Sequence, residues 1–254
     1  MTKKTYIILS EKKWNNNLIN KLKEISDHNE WIKIDVKNDF NYDSLLKIKP
    51  NKIFIPHWSY IIPEKIYNNF ECIVFHMTDL PYGRGGSPLQ NLIIRGRKYT
   101  KISAIKVVKE LDAGPIFLKK ELELFGTAEE IFFRANSIVE SMILEIIDND
   151  LQPREQEGEV VLFKRRKSKD SDIGHLKELK EVYDYIRMLD AEGYPKAFVE
   201  NKYFKFEFFV SIILDINSSD FDPLSPCILQ FYAFPNSYQK HHHLQILYIL
   251  EVLN

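Results

Sequence analysis

The stretch "CIVFHMTDLPYGRGGSPLQNLI", residues 72–93, decides how this chain is read. Five β-forming residues end on His76, a Pro/Gly-rich turn follows, and a helix starts after Ser87. Ser87, Pro88 and Gln90 fit an N-cap, a first-turn proline and a capping-box partner, Gly96 can stop the helix, and Leu89, Leu92 and Ile93 form its apolar face. An imidazole at the carboxyl end of a strand, beside a loop, lies where open α/β sheets usually carry their chemistry.

Working outward, strand and helix patterns alternate. "TYIILS" (5–10) is a short apolar run, followed by "NNNLINKLKEI", in which Leu18, Ile19, Leu22 and Ile25 recur at helical spacing. "WIKIDV", "KIFIP" and "CIVFHM" read as further strands, with "DSLLKI" and "PEKIYNNF" as the helices between them. Downstream, "KISAIKVV" and "IFLKKEL" are strand-like runs separated by "KELDAGP". A helix over 128–148 then carries the stripe Phe132, Ile138, Val139, Met142, Ile146 and a capping box in Thr127 and Glu130. A βαβ series of this kind predicts a Rossmann-like, mainly parallel sheet flanked by helices. We place a catalytic domain at 1–150 and a linker with a smaller C-terminal α+β region at 151–254. That region holds an amphipathic helix in "LKELKEVYDYIRML" and a hairpin in "AFVENKYFKFEFFVSIIL", turning at Glu200 and Asn201. The last 45 residues are left open between extending the sheet, pairing two subunits as a homodimer and holding a second ligand.

Composition excludes several classes. The 254 residues carry a formal charge of −1, so nothing global favours nucleic acid, which demands many uncompensated Lys and Arg. No segment approaches the roughly 20 apolar residues that span a bilayer, and the N-terminal apolar run is too short for a signal peptide, so no membrane role and a cytoplasmic location are expected. Cys72 and Cys227 lack metal spacing and read as reduced packing residues. The basic run "KRRKSK" has Glu155, Glu157, Glu159, Asp170 and Asp172 around it and reads as a solvated linker, with diphosphate binding as the sharper alternative. "HHH" at 241–243 has no further ligand at helical spacing and reads as loop, and no metal site is expected.

Asp112 lies in a loop 36 positions after His76. A carboxylate beside an imidazole fixes its tautomer and makes an acid/base unit. A histidine at a strand end also serves as a structural residue, and spacing alone leaves both readings open.

The segment "FHMTDLPYGRGGSPLQNLI" together with "ELDAGPI" resembles the 10-formyltetrahydrofolate-dependent formyltransferase superfamily. "IFIPHWSYIIPEKIY" resembles its pteridine-receiving strand and loop, and "VVLFKRRKSKDSDI" and "DYIRMLDAEGYPKAF" resemble segments after its catalytic domain, so the likeness covers about 5–208. Within the superfamily the chain looks most like bacterial nucleotide-sugar N-formyltransferases, such as those of the pseudaminic-acid pathway. The resemblance implies formyl transfer from 10-formyltetrahydrofolate to the primary amine of a nucleotide-linked amino sugar bound for surface glycans. His76 would stabilise the oxyanion and handle protons, and Asp112 would orient it. Tyr60, Ile61 and Ile62 would contact the folate, although an apolar loop also serves as core. Thr78 stands at a family serine, where it touches substrate or caps the turn, and Gly83, Gly85 and Gly86 approach an anion or simply supply positive φ. Two residues before His76, where the family signature has asparagine, stands Val74, so the resemblance leaves an oxyanion donor to be replaced. Asn91 is the expected substitute, because Gln90 is already engaged in the capping box. Other readings are a catalytically degenerate folate or sugar-nucleotide binding protein, and a 10-formyltetrahydrofolate hydrolase.

Overall fold

The computed structural model describes residues 3–211, 228–235 and 244–247. Contacts divide them into two compact units: the first runs through Leu89, Arg97–Leu124 and Ile131–Arg165, and the second takes Gln90–Gly96, Phe125–Glu130 and the described residues from Arg166 onward. Composition suggests a boundary at 150; by contacts, 151–165 stay with the first unit.

The chain forms β1 (Thr5–Ser10), α1 (Asn16–Ile25), β2 (Glu30–Ile34), α2 (Tyr42–Ile48), β3 (Lys52–His57), α3 (Glu64–Tyr67) and β4 (Cys72–His76). It continues with β5 (Tyr82–Gly85), α4 (Pro88–Ile93), β6 (Tyr99–Lys106), β7 (Ile116–Glu123), α5 (Ala128–Asp148) and β8 (Val161–Phe163). Six strands make one sheet in the order β2-β1-β3-β4-β6-β7. The pairs β1–β2, β1–β3 and β3–β4 are parallel, as the βαβ series predicts. β6 and β7 join antiparallel, which makes the sheet mixed. Tyr6 to Ser10 of β1 are all buried, as expected of a strand inside a sheet covered on both faces. Strand order reverses between β1 and β3, so the carboxyl ends of β1, β3 and β4 form the edge where such sheets hold ligands.

The helices bury the expected stripes. Leu18, Ile19 and Leu22 of α1 are buried, while Ile25, on its last turn, is 58% exposed. Asn41 caps α2 by accepting from the Ser44 amide at 2.9 Å. The capping box of α5 is complete: the Thr127 amide donates to Glu130 Oε2 at 2.7 Å and the Glu130 amide to Thr127 Oγ1 at 3.3 Å. At α4 the start of the helix has two further features. Ser87 has φ +51, left-handed rather than extended as an N-cap usually is, and the Gln90 side chain donates to the Met188 carbonyl at 3.1 Å. Gly96, at φ +68, follows the helix as a stop.

In the second unit, α6 (Leu179–Arg187) is followed by β9 (Ala197–Glu200), β10 (Phe204–Ser211), β11 (Ile228–Pro235) and β12 (Leu244–Leu247), an antiparallel sheet in the order β12-β11-β10-β9. The expected hairpin joins β9 to β10, and Asn201 Oδ1 accepts from the amides of Tyr203 and Phe204 at 2.8 and 2.9 Å. Cys227 and the His241–His243 run lie outside the described residues. Among the described residues no helix is long and apolar enough to cross a membrane.

Candidate active site

His76 closes β4 at the carboxyl edge, buried to 8% exposure. Its Nδ1 lies 3.6 Å from Asp112 Oδ2, and its Nε2 lies 2.8 Å from the Gly83 carbonyl oxygen. A carbonyl only accepts, so Nε2 carries the proton in that contact. Both ring nitrogens face acceptors; a neutral imidazole satisfies one of them and an imidazolium both. The arrangement therefore suits a group that holds and releases a proton.

Asp112 reaches His76 by an indirect route. Because β6 runs antiparallel to β4, its last residue, Lys106, pairs with Ile73 near the start of β4. The 107–115 connection turns back towards the opposite end of that strand to bring the carboxylate to the imidazole. Asp112 itself sits at φ +53, in the left-handed region that non-glycine residues seldom occupy. Its Oδ2 accepts the Gly85 amide at 2.9 Å.

The turn between β4 and β5 is tied down by buried polar groups. Ser103 Oγ donates to the Thr78 carbonyl at 2.7 Å and accepts from the Leu80 amide at 3.3 Å. Thr78 is fully buried, and its hydroxyl donates to the same Gly83 carbonyl at 3.4 Å. The Leu80–Pro81 bond is cis. Asp79 pairs with Lys101 at 3.0 Å and with Lys119; burial alone would raise its carboxyl, but the two lysines hold it below the ordinary value.

Gly85, at φ +110, shows why a side chain is excluded there: a Cβ would lie 2.4 Å from the Phe163 carbonyl oxygen. β5 runs alongside β8, and the Gly86 amide donates to that same carbonyl at 3.2 Å. The amides of Gly85 and Gly86 thus bond within the protein in this structure. Asn91 belongs to the second unit, buried, with its carbonyl and its Oδ1 both accepting from Arg95 Nη1 at 2.7 and 2.9 Å. Val74 shares a face of β4 with His76 by strand alternation and packs against the apolar cluster of Ile55, Ile62 and Ile66.

The apolar loop after β3 leaves the sheet at the same edge as His76, because β3 and β4 are parallel neighbours. Its three residues divide. Ile62 is core at 8% exposure, whereas Ile61 is 88% exposed beside a half-exposed Tyr60, which meets Trp58 edge-on and lies under Lys37. Tyr60 and Ile61 are thus the members of the trio that reach solvent at this edge. Two residues that the sequence pattern did not single out, Arg84 and Gln156, also meet at the site: Arg84 donates to Gln156 Oε1 from Nε and Nη2 at 3.1 and 2.8 Å, and Gln156 Nε2 donates to the carbonyls of Asp112 and Gly114, each at 2.8 Å. Among the described residues no cluster of His, Cys, Asp and Glu could hold a metal.

Residues 11–138 match the family described as formyl transferase. The chain belongs to that family. Residues 168–213 further match the methionyl-tRNA formyltransferase C-terminal domain. The solved methionyl-tRNA formyltransferase from Clostridium thermocellum is 44% identical, with a TM-score of 0.83, over 91% of this chain and 99% of that one. A curated methionyl-tRNA formyltransferase of Thermotoga maritima is 28% identical over 166 residues, 62% of this chain and 53% of that protein. The chain thus spans about half the length of the curated relatives it matches. A sugar N-formyltransferase from Shewanella sp. shares the fold, with a TM-score of 0.63 at 17% identity, over 78% of this formyl transferase family chain and 93% of its own.

Proposed function

We propose that this protein transfers the formyl group of 10-formyltetrahydrofolate to a primary amine, with His76 and Asp112 as its acid/base pair. The observation that carries the reading is the contact of His76 Nδ1 with Asp112 Oδ2 at 3.6 Å on the ligand edge of a formyl transferase sheet. In the reaction the neutral amine attacks the formyl carbon, forming a C–N bond and an oxyanion. The bond from that carbon to folate N10 then breaks, and the amine's proton ends on N10. His76 stabilises the oxyanion by turning its Nε2 proton from the Gly83 carbonyl to the developing charge, and Asp112 supports the imidazolium. Tyr60 and Ile61 are the residues that would hold the folate ring.

The acceptor we assign is a nucleotide-linked amino sugar. The formal charge of −1 supports it, since a tRNA acceptor calls for a strong surplus of Lys and Arg. The "KRRKSK" run adds five basic residues, offset along the sequence by Glu155, Glu157, Glu159, Asp170 and Asp172 around it. A second reading, methionyl-tRNA as acceptor, is favoured by the 44% identical relative and the C-terminal domain match.

Mass spectrometry of products after incubation with 10-formyltetrahydrofolate and a panel of acceptors separates these. The panel holds nucleotide-linked 4-amino sugars, pseudaminic-acid precursors among them, and methionyl-tRNA. One formyl group gained by a sugar alone supports the assignment, and gain by the tRNA alone replaces it with the second reading. Donor consumption without any amine identifies a hydrolase, and donor binding without consumption a degenerate binding protein.

A further inference from the structure

We infer that Gln156 is a positioning residue for the reaction, clamping the Asp112 turn so that its carboxylate stays against His76. The kinetic part of this rests on the formyl-transfer reading; the geometric part does not. Asp112 occupies a left-handed conformation that non-glycine residues seldom adopt, and such residues persist where their surroundings hold them. One anchor of the turn is plain. A Cβ on Gly114 would stand 1.7 Å from the Lys106 carbonyl oxygen, and the Lys106 amide donates to the Pro115 carbonyl at 2.9 Å, so the end of the turn is pressed onto β6. The Asp112 end is held by side chains as well. There Gln156 Nε2 bridges the carbonyls of Asp112 and Gly114 at 2.8 Å each.

Donor and acceptor logic fixes which way the Gln156 amide points. Arginine only donates and carbonyls only accept, so Oε1 must face Arg84 and Nε2 must face the turn. Arg84 immediately precedes Gly85, whose amide holds Asp112 Oδ2 at 2.9 Å. β5 therefore grips Asp112 twice, through its backbone at the carboxylate and through Arg84 and Gln156 at the main chain. At 3.6 Å the carboxylate already stands at the long end of contact with His76, so a small slackening of the turn uncouples the pair.

The test uses Gln156→Leu, which removes both halves of the clamp, and Gln156→Glu, which keeps an acceptor for Arg84 but turns an oxygen towards the two carbonyls. The full chain is prepared with isotope-labelled glycine, and hydrogen exchange of the Gly85 amide is followed by NMR with no substrate present. Exchange should quicken at least about tenfold in both variants, as in Asp112→Ala, which removes the acceptor outright. With the amine found by the acceptor panel, kcat should fall about 10- to 100-fold while the donor KM moves less than about threefold. In an Asp112→Asn background the same substitutions should cost under about threefold more, because their effect runs through that carboxylate. Unchanged Gly85 exchange in both variants overturns the clamp. A full kcat cost in the Asp112→Asn background overturns it too, since general loosening of the fold gives that result. If Gly85 exchange quickens but the wild-type protein formylates no amine, the clamp stands and the formyl-transfer reading falls.

Discussion

At the scale of single residues, His76 faces an acceptor at each nitrogen, and the ring and the carboxylate make different predictions. Replacing His76 with alanine should lower turnover by about a thousandfold or more, yet leave donor affinity within a few-fold, because the lost interaction matters chiefly in the transition state. Asp112→Asn should remove most activity while keeping the Gly85 contact sterically intact. Steady-state kinetics beside a donor-binding titration check both, and full turnover in His76→Ala removes it from the mechanism. Val74 raises a separate matter, since valine offers no donor where the family signature has an amide. We expect Asn91→Ala to lower turnover at least about tenfold and Val74→Asn to raise it by less than that, because an oxyanion donor works only when its surroundings preorganise it. Normal turnover in Asn91→Ala removes Asn91 as the substitute donor. His76 and Asp112 were legible because a strand end and a Gly/Pro loop leave marks in sequence. Gln156 was not: its bonds run to main-chain carbonyls, which any residue type supplies, and its neighbours in "PREQEGE" read only as charged linker. The apolar trio at 60–62 was legible as a class, but which member faces solvent depends on the loop's path.

Among the elements, local chemistry that the chain specifies twice was the most readable. Thr127 and Glu130 announce α5 and form both capping bonds, so Thr127→Ala should cost about 1 kcal/mol of stability, measurable by urea unfolding, with little change in turnover. Ser87 and Gln90 carry the same signature, but there the chain leaves β5 in a left-handed step and the Gln90 side chain also meets a carbonyl 98 positions away. A tertiary partner of that kind is invisible to a four-residue motif. Strand direction shows the same limit. Only residues 107–115 link β6 to β7, too few for a parallel crossover, which needs a dozen or more, so that antiparallel pair is implied by length. Residues 77–98 between β4 and β6 are enough for either direction, so the reversal at β6 could not be read from spacing.

For the molecule as a whole, acidity should act through His57. Its ring, at the end of β3, meets the edges of Trp14 and Phe132, with centroids at 5.7 and 6.1 Å. Burial, with the charges of Lys12 and Arg165, pushes its pKa down to about 4. The unfolded chain then binds more protons than the folded one between about pH 6.5 and 4, so stability is full above that window and falls as pH drops through it. Urea unfolding at pH 7.5 and 4.5 should show wild type losing roughly 2 to 3 kcal/mol more than His57→Gln across that interval. Equal losses in both proteins rule His57 out as the acid-sensitive group. Cys72, buried with its thiol pushed up to about 12, should stay unreactive throughout. The division of the chain bears on how such a protein can be recombined. Gln156 and Phe163 lie beyond the boundary that composition suggests, yet both hold loops of the first unit. A chimaera spliced at Asp150 would inherit His76 and Asp112 without Gln156 and Phe163, whereas one spliced after Arg165 would keep that pair together with both. The portable module is thus longer than the α/β pattern that announces it.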